Sequence, residues 1–201
     1  MFKNIPSHEI ITLNGYAVQE TPFDDMEKIR MILNSMKKNE IIIAYSYGAS
    51  LILSSGLYKA SLARIFLINP FFTPKKRSIS DLISSLEKNY ELNIKKFVFD
   101  SIAAGNLSKE YYSQLINILK NEKIPSMETL ISNLRILEKL NFNIQYDENL
   151  YILQSQKDEI NDLVMFDQLD KNKFKTYKMN DLPHYPFFLS DEIYKIISSM
   201  L

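Results

Sequence analysis

One run constrains this chain more than any other: Ile41-Ile42-Ile43-Ala44-Tyr45-Ser46-Tyr47-Gly48-Ala49-Ser50. Three β-branched residues favour a buried strand, and Ala49, Leu51, Ile52 and Leu53 after Gly48 suit a helix. The serine therefore sits where a strand turns sharply into a helix, a bend that needs small neighbours because the two elements approach closely. Gly48 supplies the second glycine of a G-x-S-x-G pattern, and Ala44 stands where the first would be. A strand that ends at such a bend exposes its serine hydroxyl as a nucleophile; an ordinary strand-turn-helix with an incidental serine is the plainer alternative.

The rest of the chain repeats this alternation. Glu9 to Leu13 reads as a short strand closed by the turn pair Asn14-Gly15, with His8 at its entrance. Asp24 to Lys37 reads as a helix, because Met26, Ile29, Ile32, Leu33 and Met36 recur at helical spacing. Arg64 to Ile68 is the third strand, ended by Asn69-Pro70. Helical periodicity then covers Ser80 to Tyr90, Ser108 to Asn121 and Ser126 to Leu140, with Ser80, Ser108 and Ser126 as N-caps; Lys95 to Phe99 is taken as helix or loop. Leu150 to Gln154 is the fourth strand, Lys173 to Lys178 an edge strand, and Asp191 to Met200 a closing helix. Strands alternating with helices imply an α/β domain over residues 1–201, with a mostly parallel sheet of about five strands and a helical lid insertion over 71–141. Ligands bind such sheets at the carboxyl ends of the strands.

Composition removes several classes of function. Lys plus Arg and Asp plus Glu are 24 each in 201 residues, so no global field favours nucleic acid. There is no cysteine, which excludes a disulfide, a cysteine-based zinc site or a cysteine nucleophile. With two histidines, His8 and His184, a histidine-rich metal centre is not expected, and no cofactor is implied. The first residues lack the apolar core of a signal peptide and no run is long enough to cross a membrane, so a cytoplasmic location is expected.

A serine hydroxyl becomes a useful nucleophile only when a base takes its proton, and an acid must hold that base in the right tautomer. His184, in Pro183-His184-Tyr185-Pro186-Phe187, follows the fifth strand; Asp158, in Gln156-Lys157-Asp158-Glu159, follows the fourth, with Glu159 as the reserve acid. Ser46, Asp158 and His184 thus occur in that chain order, each beyond the carboxyl end of a strand.

At these residues the chain resembles the α/β-hydrolase superfamily and, more narrowly, the short pimeloyl-ACP methyl ester esterases of biotin synthesis. Asn14-Gly15-Tyr16 matches the family's oxyanion stretch, Tyr45-Ser46-Tyr47-Gly48-Ala49 its elbow, and Asn69-Pro70-Phe71-Phe72 the segment after the next strand. Leu130 to Leu140 echoes its leucine-rich lid helix, and His184-Tyr185-Pro186-Phe187 its His-x-Pro-Phe ending. Ala44, Asn14 and Pro183 depart from the family's usual glycine, histidine and glycine, but none of them is a reacting group. In this fold one oxyanion donor is the N–H after the nucleophile, here Tyr47, and the second comes from an earlier loop, here Tyr16. The family sheet runs 1-2-4-3-5-6-7-8; this chain has room for 3-5-6-7-8, a trimmed form joined by right-handed crossovers. A competing register puts Gly15 in the loop of strand four and removes the Tyr16 donor.

The resemblance implies a serine carboxylesterase acting on an ester carried by acyl carrier protein (ACP). A thioesterase or acyltransferase with the same triad, and a non-enzymatic binding module that keeps an inert elbow, are the alternatives. ACP is strongly acidic, and residues 75–123 hold nine Lys and Arg against six Asp and Glu. Lys75, Lys76, Arg77, Lys95 and Lys96 are therefore the expected ACP-binding rim, although lysine runs also occur on plain solvated helices.

Overall fold

The computed structural model describes residues 25–102, 126–186 and 190–200. In chain order these form α1 (Asp25–Ser35), β1 (Ile41–Tyr45), α2 (Ser46–Ser55), a 3₁₀ turn (Leu57–Ala60), β2 (Arg64–Ile68), α3 (Ile79–Lys88), α4 (Tyr90–Ile102), α5 (Met127–Lys139), β3 (Leu150–Ser155), α6 (Val164–Lys171), β4 (Thr176–Met179) and α7 (Ser190–Ser199). The expected strand Glu9–Leu13, the Asn14-Gly15 turn, His8, Tyr16 and the expected helix from Ser108 to Asn121 lie outside the described residues.

Among the described residues the sheet has four strands in the order β1-β2-β3-β4, all parallel. Tyr45 pairs with Ile68, Ile68 with Leu153, and Ser155 with Met179, so the carboxyl ends of the strands finish together. Successive strand residues face opposite sides of the sheet. Ile65 and Leu67 of β2 pack with Ile29 and Leu33 of α1, Leu51 of α2 and Phe166 of α6; Phe66 and Ile68 pack with Ile193, Ile196 and Ile197 of α7. Each such side chain, fully buried, contributes about 1.5–3 kcal/mol. Burying both faces requires the continuous apolar run of β2, whereas β4 leaves Tyr177 and Lys178 exposed, as an edge strand does.

The helices between β2 and β3 have a small core of their own, made by Leu86 of α3, Ile94 of α4 and Ile131 of α5. Ser126 caps α5 as expected, its Oγ accepting from Thr129 N at 3.2 Å. At α3 the cap is Ser78 and not Ser80: Ser78 Oγ accepts from Asp81 N, and Asp81 Oδ2 accepts from Ser78 N, the reciprocal pair of a capping box. Lys95 to Phe99 is helical, within α4. No helix among the described residues is long and apolar enough to cross a membrane.

Candidate active site

The strand β1 ends at Tyr45 with φ −127° and ψ 142°, and Ser46 opens α2 with φ 47°. A non-glycine residue in the left-handed region costs about 1–2 kcal/mol, so the surrounding contacts must hold it there. They do so through Ser50, one turn on: its buried hydroxyl donates to Ser46 O at 2.8 Å and accepts from Phe71 N at 2.7 Å. The bend leaves the serine side chain at the carboxyl end of the sheet. Tyr47 is next in the first turn of α2, where N–H groups project from the helix end and suit developing negative charge.

Ser46, His184 and Asp158 are joined in one relay. Ser46 Oγ lies 3.0 Å from His184 Nε2, and His184 Nδ1 lies 2.7 Å from Asp158 Oδ2. His184 and Asp158 are buried, and Ser46 is half-buried. The other hydrogen-bond partners of the Asp158 carboxyl are donors. Oδ1 accepts from Ile160 N at 2.7 Å and Asn161 N at 2.9 Å; Oδ2 accepts from Gln154 Nε2 at 3.0 Å and Asn161 Nδ2 at 3.3 Å. A carboxylate so used acts as an acceptor toward the imidazole as well, so Nδ1 carries the ring proton and Nε2 is left to accept from the serine hydroxyl. The geometry is that of a general base aimed at a nucleophile and held by an acid.

The loop after β2 touches all three arms of this relay. Phe71 N bonds Ser50, which bonds Ser46 O. Pro70 O accepts from Asn161 Nδ2 at 3.0 Å, Lys75 N donates to Ile160 O, and Asp162 N donates to Thr73 O, which straps the loop to the Asp158 turn. On the third arm, Asn69 Nδ2 donates to His184 O. The His184 loop is held further by Tyr185 N, which donates to Ser101 O at 2.7 Å, and by the Tyr45 ring 5.4 Å from the imidazole. Burial holds the Tyr185 phenol above its ordinary pKa.

Glu159, the reserve acid, faces elsewhere. It pairs with Lys76 Nζ at 2.6 Å and Lys75 Nζ at 3.1 Å, and Lys75 also donates to Asp158 O at 3.0 Å. Lys76 and then Lys75 hold the Glu159 carboxyl below the usual glutamate range, and Glu159 in turn raises Lys76. Arg77 reaches Ser85 Oγ at 3.4 Å, while Lys95 and Lys96 are exposed on α4. Among the described residues no cluster of three or more His, Cys, Asp or Glu side chains fits a metal ion.

The motif reading gave Asn69, Ser50, Gln154 and Asn161 no part in the site. Gln154 carried a signal: it is a polar residue in the otherwise apolar run Leu150 to Leu153, and a buried polar side chain must be satisfied by a partner.

No protein-family model and no curated protein matches the sequence. Solved structures do. An esterase from Exiguobacterium antarcticum superposes with a TM-score of 0.64 at 14% identity, covering 87% of this chain and 70% of that one. A bromoperoxidase from Bacillus anthracis gives 0.65 at 13% identity, covering 92% and 78%. Both neighbours have the α/β-hydrolase fold. With its parallel sheet and serine-bearing elbow, this chain has that fold in trimmed form.

Proposed function

We propose that this chain is a serine carboxylesterase, with Ser46 as nucleophile, His184 as general base and then acid, and Asp158 as the group that orients His184. The observation that carries this is the unbroken relay Ser46 Oγ–His184–Asp158, at 3.0 and 2.7 Å. Ser46 Oγ attacks the ester carbonyl as Nε2 takes its proton. The tetrahedral oxyanion is met by the Tyr47 N–H, and the loss of one such donor typically costs about 3 kcal/mol. The intermediate collapses, His184 protonates the departing alkoxide, and an alcohol leaves. Water, deprotonated by the same imidazole, then releases the acid and restores Ser46. Tyr16 is the second oxyanion donor in this scheme.

The substrate we propose is the methyl ester of pimeloyl-ACP, so that the alcohol is methanol and the product is pimeloyl-ACP for biotin synthesis. Support for it comes from the elbow, Asn14-Gly15-Tyr16 and His184-Tyr185-Pro186-Phe187, which resemble those esterases, and from the basic residues of the insertion.

Purified protein is expected to release p-nitrophenol from short acyl esters, and Ser46→Ala to lower kcat by several orders of magnitude, about the loss typical of a triad member. Retention of most activity by Ser46→Ala would remove the serine assignment. With pimeloyl-ACP methyl ester, mass spectrometry should find methanol lost and the acyl chain still on ACP. Acyl release from ACP would instead mark a thioesterase. Restoring biotin-independent growth to a strain without its pimeloyl-ACP methyl ester esterase tests the physiological substrate.

A further inference from the structure

We propose that Asn69 is the positioning residue that sets the register of His184 against Ser46, an inference that rests on the serine-hydrolase reading above. Asn69 closes β2, is fully buried and has φ 47°. Its backbone N–H still belongs to the sheet, donating to Leu153 O at 2.8 Å. Its side chain leaves the sheet in two directions. Oδ1 accepts from Ser155 N at 2.7 Å, and Nδ2 donates to Ser155 Oγ at 2.9 Å, to His184 O at 2.6 Å and, at the longer distance of 3.4 Å, to Pro183 O. One amide thus clamps the end of β3, which leads to Asp158, to the main chain of the histidine itself.

The clamp acts where small errors are costly. The imidazole hangs from the backbone of residue 184, so a shift of His184 O moves Nε2 relative to Ser46 Oγ. Misplacing a reacting group by about 1 Å can cost about 100-fold in rate. Asparagine suits the position on two grounds. Apart from glycine, it is among the residues that most readily adopt the left-handed region. Its amide also supplies an acceptor and two donor hydrogens on one short stem. Aspartate has the shape without the donors, and glycine has the backbone freedom without the amide.

Those two residues define the experiment. Asn69→Gly keeps the backbone and deletes the clamp; Asn69→Asp keeps the acceptor for Ser155 N and replaces the donor to His184 O with an oxygen. Wild type and Ser46→Ala are assayed first on p-nitrophenyl butyrate; an inactive wild type, or an active Ser46→Ala, refutes the hydrolase reading. Each folded Asn69 variant, checked by a cooperative melt, should show KM close to wild type and kcat reduced about 100-fold. The second readout needs no turnover: the low-field proton resonance of the His184 Nδ1–H bond to Asp158 should shift or broaden in both variants. A kcat within about threefold of wild type with that resonance unmoved overturns the inference. So does loss of folding in both variants, which would make Asn69 structural alone.

Discussion

The two adjacent acids after β3 separate chemistry from surface charge. Asp158 is buried with its oxygens filled by donors, whereas Glu159 has a third of its side chain exposed and faces two lysines. Asp158→Asn keeps the volume but puts an amide where the imidazole needs an acceptor, and is expected to lower kcat by about 10⁴. Glu159→Gln should leave kcat near wild type and cost less than about 1 kcal/mol of stability, since its partners are exposed pairs. The sign of its pH dependence follows from the lowered carboxyl. The unfolded chain takes up the Glu159 proton near about pH 4.3 and the folded chain only below that, so the stabilisation is full above that pH and is lost as pH falls through the folded value. Thermal melts of wild type and Glu159→Gln should therefore differ by a constant amount between neutral pH and about pH 5, and converge only as pH falls through the lowered folded value. A gap that widened in acid would contradict the assignment of Glu159 to Lys76 and Lys75.

At the scale of elements, legibility followed the strength of local patterning. β1, β2 and β3 were readable because each is an apolar run ended by a polar residue or a turn, and α5 because Ser126 precedes an amphipathic stretch. The helix α6 was not read: it is short and half polar, and only Phe166 and Leu169 are buried. The cap of α3 was displaced because Ser78 and Ser80 are alike locally, and only the bond to Asp81 chooses between them. The elbow helix α2 ends as cleanly as it begins, at Gly56 with φ 68° and ψ 2°. A Cβ built on Gly56 meets no atom within 4 Å, so Gly56→Ala isolates the backbone cost of a left-handed C-cap from any clash. Urea unfolding should show a loss of about 1 kcal/mol with kcat unchanged, and a smaller loss for Gly56→Asn. A loss several times larger would mean that the turn into Leu57–Ala60 is set by more than the dihedral angle.

Across the whole molecule, the parallel order places the loops after β1, β2, β3 and β4 along one edge, which is why Ser46, Asp158 and His184 could be found by their position after strands. The network around them could not, because it joins residues far apart in sequence: Asn69 is 86 positions from Ser155 and 115 from His184. The same long-range contacts change what can be asked of the basic rim. The sequence grouped Lys75, Lys76 and Arg77 with Lys95 and Lys96, but Lys75 holds the Asp158 carbonyl and shares Glu159 with Lys76. Reversing Lys75, Lys76 and Arg77 to Glu is therefore expected to slow a small p-nitrophenyl ester as well as an ACP-linked one, because it disturbs the acid turn. Lys95 and Lys96 are the cleaner probe. They are exposed on α4, whose Ser101 O accepts from the N–H of the residue after His184, so the helix is tied to the His184 loop, and no ion pair among the described residues engages them. If an acidic carrier docks there, Lys95→Glu with Lys96→Glu should lower kcat/KM for pimeloyl-ACP methyl ester about tenfold through lost steering, and spare p-nitrophenyl butyrate. Added salt should lower wild-type kcat/KM on the carrier substrate and leave that of the double variant unchanged or raised, because screening weakens an attraction in the one and a repulsion in the other. A double variant that keeps wild-type kcat/KM on the carrier substrate at low salt would remove α4 from the docking surface.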